Sequence, residues 1–279
     1  MQIDNSAETF FELCESGFPF DLEDYHQAHP RIFDTYFNGY CRKTDDKVRS
    51  AVDRYSGDYE RLKEVAALLP DAIQKAADKA ESYFGFAIDV PVHIFVGVYA
   101  SNAFVDHQAE IYLAVEKLDP DPELLQILIA HEMVHSYHYH VLDRAGIDWE
   151  SVDWMSGQVS MYLEGVATYL SEQLIPGYPR GYYFSYDKNG ADWLAFAENH
   201  LSEMAYAFEA DLNDDSTNVL REWFRLSGGS RFGYSRLGYF LGTRFVSDLC
   251  LQMGEEQVLA LLANGDVEEE VIKWINQQM

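Results

Sequence analysis

Residues 124–142, LLQILIAHEMVHSYHYHVL, are apolar almost all the way round a helix. A helix without a polar face has to be covered on every side, so much of the remaining chain must supply that cover. Asp119-Pro-Asp-Pro-Glu marks its start: Asp121 can cap it, Pro122 suits the first turn, and Glu123 faces the positive helix end. It should stop near Gly146. Polar side chains inside such a helix need a purpose, and His131-Glu132-Met133-Val134-His135 supplies three. Four residues at about 100° each bring the second imidazole within about 40° of the first, one turn along. Both rings can then reach one ion at the roughly 2.0–2.1 Å of a zinc–nitrogen bond, while Glu132 is turned aside to meet a water.

A catalytic zinc needs a third protein ligand and an open fourth position. A ligand six residues beyond the second His would fall on Val141, which cannot serve. His138 shares the helix face, but it lies about 10 Å of helix rise past His131, too far for one ion, and reads as a supporting or packed residue. Glu164 is the better candidate. Val159, Leu163, Val166, Leu170 and Leu174 form an apolar stripe, so this segment is an amphipathic helix. Another face carries Gly157, Ser160, Glu164, Ala167, Thr168 and Ser171, all small except the glutamate. Small residues let two helices approach, and the lone carboxylate there would point at the neighbour. Gly165 supports a packed face over a solvated one, because a mid-helix glycine costs about 1 kcal/mol without a packing reason.

H-E-x-x-H followed by E-G-x-A-x-Y, here HEMVH and EGVATY, resembles the gluzincin metallopeptidases. The gap of 29 residues (164 − 135) falls in the range such families use. The closest resemblance is to small bacterial zinc-dependent peptidases, and it covers roughly positions 90 to 250. It implies one zinc ion per chain on His131, His135 and Glu164, Glu132 as general base, and a peptide or protein substrate. Gluzincins often place an Asp four residues after the glutamate to orient the first His; Thr168 stands there and would polarise it less. Ser101-Asn102-Ala103-Phe104 and the following EIYLAV are similar to the segment and edge strand that thermolysin-like enzymes lay beside substrate. Asn102 and Ala103 are therefore expected at the substrate, with an ordinary hairpin connection as the other reading. Arg236-Leu-Gly-Tyr-Phe-Leu-Gly-Thr-Arg244 resembles a G-Y-x-x-G helix of the same families. Tyr239, with Tyr234 in reserve, would then offer a hydroxyl to the oxyanion; alternatively Gly238 and Gly242 serve close helix packing and the tyrosines are core.

The first eighty residues read as helical. Ser6 can cap AETFFELCE, which Gly17 stops, and DYERLKEVAALL and IQKAADKAESYF follow, broken at Pro70-Asp71 and closed by Gly85. From Val90, VHIFVGVY and EIYLAV read as strands, and helices then run to the end across PGYPRGYYFSYDKNG. DKNGAD and DLNDDSTN lack the spacing of a calcium loop and read as turns and caps. The expected fold is α+β, mostly helical, with a small antiparallel or mixed sheet packed on the H-E-x-x-H helix in zincin-like fashion. Residues 1–84 would be a helical layer and 85–279 the metallopeptidase core, together one continuous domain.

Charge narrows the partners. The chain carries 20 basic and 47 acidic residues, a net −27, which repels nucleic acid and anionic membranes. Such a charge suits cationic substrates, or simply solubility and a salt-rich habitat. No apolar run approaches the roughly 20 residues of a membrane span, and the N-terminus lacks the pattern of a secretion signal, so a cytoplasmic location is expected, although a processed secreted form would look alike. Cys14, Cys41 and Cys250 have no C-x-x-C pairing and read as small apolar residues rather than a disulfide framework. A metal-binding regulatory module without turnover is the rival to a peptidase; the presence of Glu132 favours the enzyme.

Overall fold

Four short strands make one mixed sheet in the order β1-β2-β4-β3: β1 (Gln2–Asn5), β2 (Pro91–Phe95), β3 (Ala103–Val105) and β4 (Ile111–Ala114). β1 and β4 flank β2 in parallel, and β3 closes the sheet antiparallel to β4. The sequence marks the two inner strands because Val92, Ile94, Ile111 and Leu113 are fully buried. It does not mark β1, a polar QIDN segment whose partner lies almost ninety residues away in the chain. The computed structural model describes residues 1–18, 20–264 and 267–278. Its chain divides into two units, residues 1–136 and 137–279.

In the first unit, α1 (Ala7–Glu15), α2 (Leu22–Ala28) and α3 (Pro30–Thr35) lead through a π-helical turn, Tyr36–Tyr40, to the long α4 (Asp45–Phe84). Ser6 does precede α1, but its hydroxyl makes no cap; it donates to Ile94 O on β2 at 3.0 Å and meets the Tyr25 hydroxyl at 3.1 Å. Pro70 does not break α4 either. An interior proline costs about 3 kcal/mol, yet Leu62, Val65, Leu69, Ile73, Ala76 and Ala80 form one unbroken buried stripe across it. Burying each large member of that stripe is worth about 1.5–3 kcal/mol, so burial wins. Gly85, at φ 74°, ends the helix as expected.

The backbone that leaves β2 has no strand beside it, and side chains satisfy it instead. Val96 N donates to the Tyr25 hydroxyl (3.0 Å), Val98 N donates to that of Tyr36 (3.2 Å), and the Tyr55 hydroxyl donates to Gly97 O (2.7 Å). The buried Glu116 carboxylate accepts from Gly97 N at 2.8 Å and Tyr99 N at 3.0 Å. Burial pushes its pKa up to about 7, against the lowering effect of those amides.

α5 (Pro122–Ala145) is continuous across the division between units. Asp121 caps it, its carboxylate accepting from Glu123 N and Leu124 N, and Gly146 follows its end at φ 82°. The second unit adds α6 (Gly157–Leu174), α7 (Tyr182–Ser185), α8 (Gly190–Asn199), α9 (Leu201–Asp211), α10 (Ser216–Phe224), α11 (Leu237–Met253), α12 (Glu255–Leu259) and α13 (Val267–Gln278). The chain is therefore mostly helical with one small mixed sheet, an α+β fold. Among the described residues no helix is long and apolar enough to cross a membrane. Cys14 and Cys41 are buried and Cys250 half-buried, all three free.

Candidate metal centre

The fully covered character of α5 carries through to its three central polar residues: His131, Glu132 and His135 are 2%, 6% and 8% exposed. The two imidazoles stand nearly perpendicular, at 84°, with their Nε2 atoms 3.2 Å apart. Two nitrogens on one tetrahedral ion at about 2.05 Å would lie roughly 3.3 Å apart, so the pair already has the separation of shared ligands. Glu164, half-buried on α6, joins them: one ligand atom from each of His131, His135 and Glu164 lies within 4.8 Å of the others. Two neutral imidazole nitrogens and one carboxylate are the donor set of a hydrolytic zinc site, and this group can hold a metal ion.

The neighbours expected around the group take varied places. Thr168, four residues beyond Glu164, is fully buried, and its Oγ1 hydrogen-bonds to nothing among the described residues. It therefore orients no histidine. His138 is packed: its Nε2 lies 3.1 Å from the Tyr162 hydroxyl and 3.0 Å from Leu259 O. Asn102 precedes β3, its carbonyl accepting from Ala114 N at 2.8 Å, and Ala103 begins the strand. Tyr239 is half-buried on α11, 5.8 Å beneath the Arg236 guanidinium, whereas the Tyr234 ring stacks on Phe196 at 4.7 Å.

The glycines of the G-Y-x-x-G helix do serve packing. A Cβ on Gly242 would stand 2.0 Å from Met161 O, and one on Gly238 would stand 2.3 Å from the Phe224 ring. Gly165 meets the same helix, since its Cβ would lie 2.4 Å from the Gly242 carbonyl. The close neighbour that Gly165 implied is thus α11.

Two residues beside the site escaped the sequence reading. Ser136 follows His135 and donates to Ala109 O at 2.6 Å, fixing the β3–β4 turn against α5. A serine in so apolar a helix, needing a partner, was the available signal. Tyr40, at the end of the π-helical turn, donates to Val105 O at 2.9 Å and stacks on Phe104 with ring centroids 3.5 Å apart. Burial first, then the charges of Asp106 and Glu132, push its hydroxyl well above the usual tyrosine range. Nothing local in YFNGYC announces that. No protein-family model, curated protein or solved structure matches this chain.

Proposed function

We propose that this protein is a zinc-dependent peptidase of gluzincin type, with a zincin-like arrangement around α5. The observation that carries the reading is the convergence of His131, His135 and Glu164 ligand atoms within 4.8 Å, the two Nε2 atoms 3.2 Å apart. Those three residues would hold the ion. When bound there, zinc supplies Lewis-acid polarisation of a carbonyl and lowers the pKa of water toward neutrality. Glu132, one residue from the first ligand, takes the proton of the attacking water and passes it to the leaving amine. Tyr239 donates to the developing oxyanion, with Tyr234 as its alternative. Asn102 and Ala103 line the path of an extended peptide substrate. The net charge of −27 argues against nucleic acid and anionic membrane as partners, and the protein works in the cytoplasm.

A second reading, a metal-binding module with little or no turnover, is favoured by Thr168, which stands where gluzincins often carry an Asp and whose hydroxyl makes no hydrogen bond among the described residues. Metal analysis with mutagenesis separates the two. The purified protein should contain one zinc per chain, lost in His131→Ala and Glu164→Ala and retained in Glu132→Gln. Hydrolysis of a mixed peptide library should fall at least about a hundredfold in Glu132→Gln. Stoichiometric zinc without any hydrolysis by the native protein would leave the binding module; absence of zinc would overturn both.

A further inference from the structure

β3 is an edge strand, and its register against β4 decides which of its backbone groups face outward. Asn102 O accepts from Ala114 N at 2.8 Å, and Asp106 N donates to Glu110 O at 3.0 Å. With Phe104 opposite Tyr112, the backbone groups of residues 102, 104 and 106 are directed at β4. Those of Ala103 and Val105 point away from it, to the open edge. Both outward carbonyls are already occupied from within the chain: Ala103 O accepts from Ser101 Oγ at 3.2 Å, and Val105 O accepts from the Tyr40 hydroxyl at 2.9 Å. Among the described residues nothing accepts from Ala103 N or Val105 N. This edge offers two donors and has both acceptors covered.

Tyr40 is held firmly in that position. Its ring stacks on Phe104 at 16°, and its π-helical turn is anchored by Tyr36, fully buried against Phe95. π-helical turns are uncommon and concentrate at functional sites. An edge whose acceptors are covered resists indiscriminate strand pairing, yet it can still hold a guest peptide through that peptide's carbonyls.

We propose that Tyr40 is a positioning residue that selects how an extended peptide docks on β3: the peptide is held by Ala103 N and Val105 N, and a full ladder forms only where the Tyr40 hydroxyl is displaced. The occupant is an extended, cationic peptide segment, because the chain carries −27 overall and the Asp106 carboxylate stands directly beyond Val105 at the end of this edge. The proposal rests on the peptidase reading for its biological meaning, but binding tests it separately from turnover.

The test uses the full chain in a Glu132→Gln background, with a fluorescein-labelled, lysine-containing unstructured peptide and two versions N-methylated at alternate residues. Tyr40→Phe keeps the ring stack and frees Val105 O, so the unmethylated peptide should bind about fivefold tighter, the worth of one hydrogen bond. One methylation register should abolish that gain and the other preserve it. Ser101→Ala, which frees Ala103 O, should give a similar gain and guards against a folding defect in the first variant. Unchanged or weaker binding in both variants, or a gain indifferent to methylation register, overturns the proposal. Peptide binding that behaves as described, with no hydrolysis when Glu132 is restored, sinks the peptidase reading and leaves the role of Tyr40 standing.

Discussion

One segment of each unit keeps its backbone satisfied in a way the other does not. In residues 1–136, the segment 96–99 has left the sheet, and its four amides and the Gly97 carbonyl are met by Tyr25, Tyr36, Tyr55 and Glu116. In residues 137–279, α6 and α11 satisfy their own backbones and meet with almost nothing between them, at Gly165 and Gly242. The first solution needs polar side chains aimed at particular atoms; the second needs side chains to be missing. A carboxylate or hydroxyl is therefore the vulnerable element on one side, and a hydrogen atom at Cα on the other.

The sharpest way to break the contrast is to add a methyl group at the helix crossing. A Cβ on Gly165 or Gly242 would face backbone atoms at 2.4 Å or 2.0 Å, and backbone cannot swing aside as a side chain can. Helix propensity alone would reward Gly→Ala by about 1 kcal/mol. Overpacking of this severity should exceed its usual 1–3 kcal/mol, so Gly165→Ala or Gly242→Ala should cost at least about 4 kcal/mol or prevent folding. Urea unfolding midpoints would measure it. A midpoint equal to or above that of the native chain would mean the helices do not touch there.

That crossing was half legible in the sequence, and the reason separates readable features from unreadable ones. Gly165 inside an apolar-striped helix announced a close neighbour, because its cost is local and the compensation must lie elsewhere; which helix supplied it was not written nearby. The same holds for the candidate metal centre. The pairing of His131 and His135 follows from helix geometry alone, whereas the approach of Glu164 depends on folding across the intervening residues. Asp121, Gly85 and Gly146 act within a turn of themselves and behave as read. Ser6, Pro70 and β1 do not: the hydroxyl of Ser6 finds a strand carbonyl 88 residues on, the stripe around Pro70 outweighs its local penalty, and QIDN becomes a strand only because β2 is there to pair with it. Tyr40 belongs with these, since its partner, Val105, is 65 residues away.

On the polar side, Glu116 gives the next largest effect, and its sign is fixed by burial. Its folded-state pKa is raised to about 7 from the ordinary 4.5, so the folded chain holds this proton more tightly than the unfolded chain. Between those two values the native state binds the extra proton, and the stability contributed by this group is lost as pH rises. Glu116→Gln cannot titrate. Its stability relative to the native chain should therefore improve from pH 4.5 to 7.5 by on the order of 3 kcal/mol, since each tenfold difference in proton affinity between folded and unfolded chains is worth about 1.4 kcal/mol. At acid pH the variant should be the weaker of the two, because its amide NH2 faces one of the two backbone donors at Gly97 and Tyr99. Paired denaturant titrations across that range would show it; parallel stability curves would mean the carboxylate is solvated rather than buried.

The smallest effect is the most diagnostic control for the glycine argument. Gly57 also lies in a helix interior, in α4, but a Cβ there would meet nothing within 4 Å. The substitution that should ruin α6 or α11 should help here, because the unfolded chain loses conformational freedom and nothing in the folded chain is displaced. Gly57→Ala is expected to raise stability by about 0.5–1 kcal/mol, a small upward shift of the urea midpoint with an unchanged slope. If Gly57→Ala destabilised the protein as Gly165→Ala does, glycine would be disfavouring substitution for some reason other than contact, and the distinction between a packed helix face and an open one would fail.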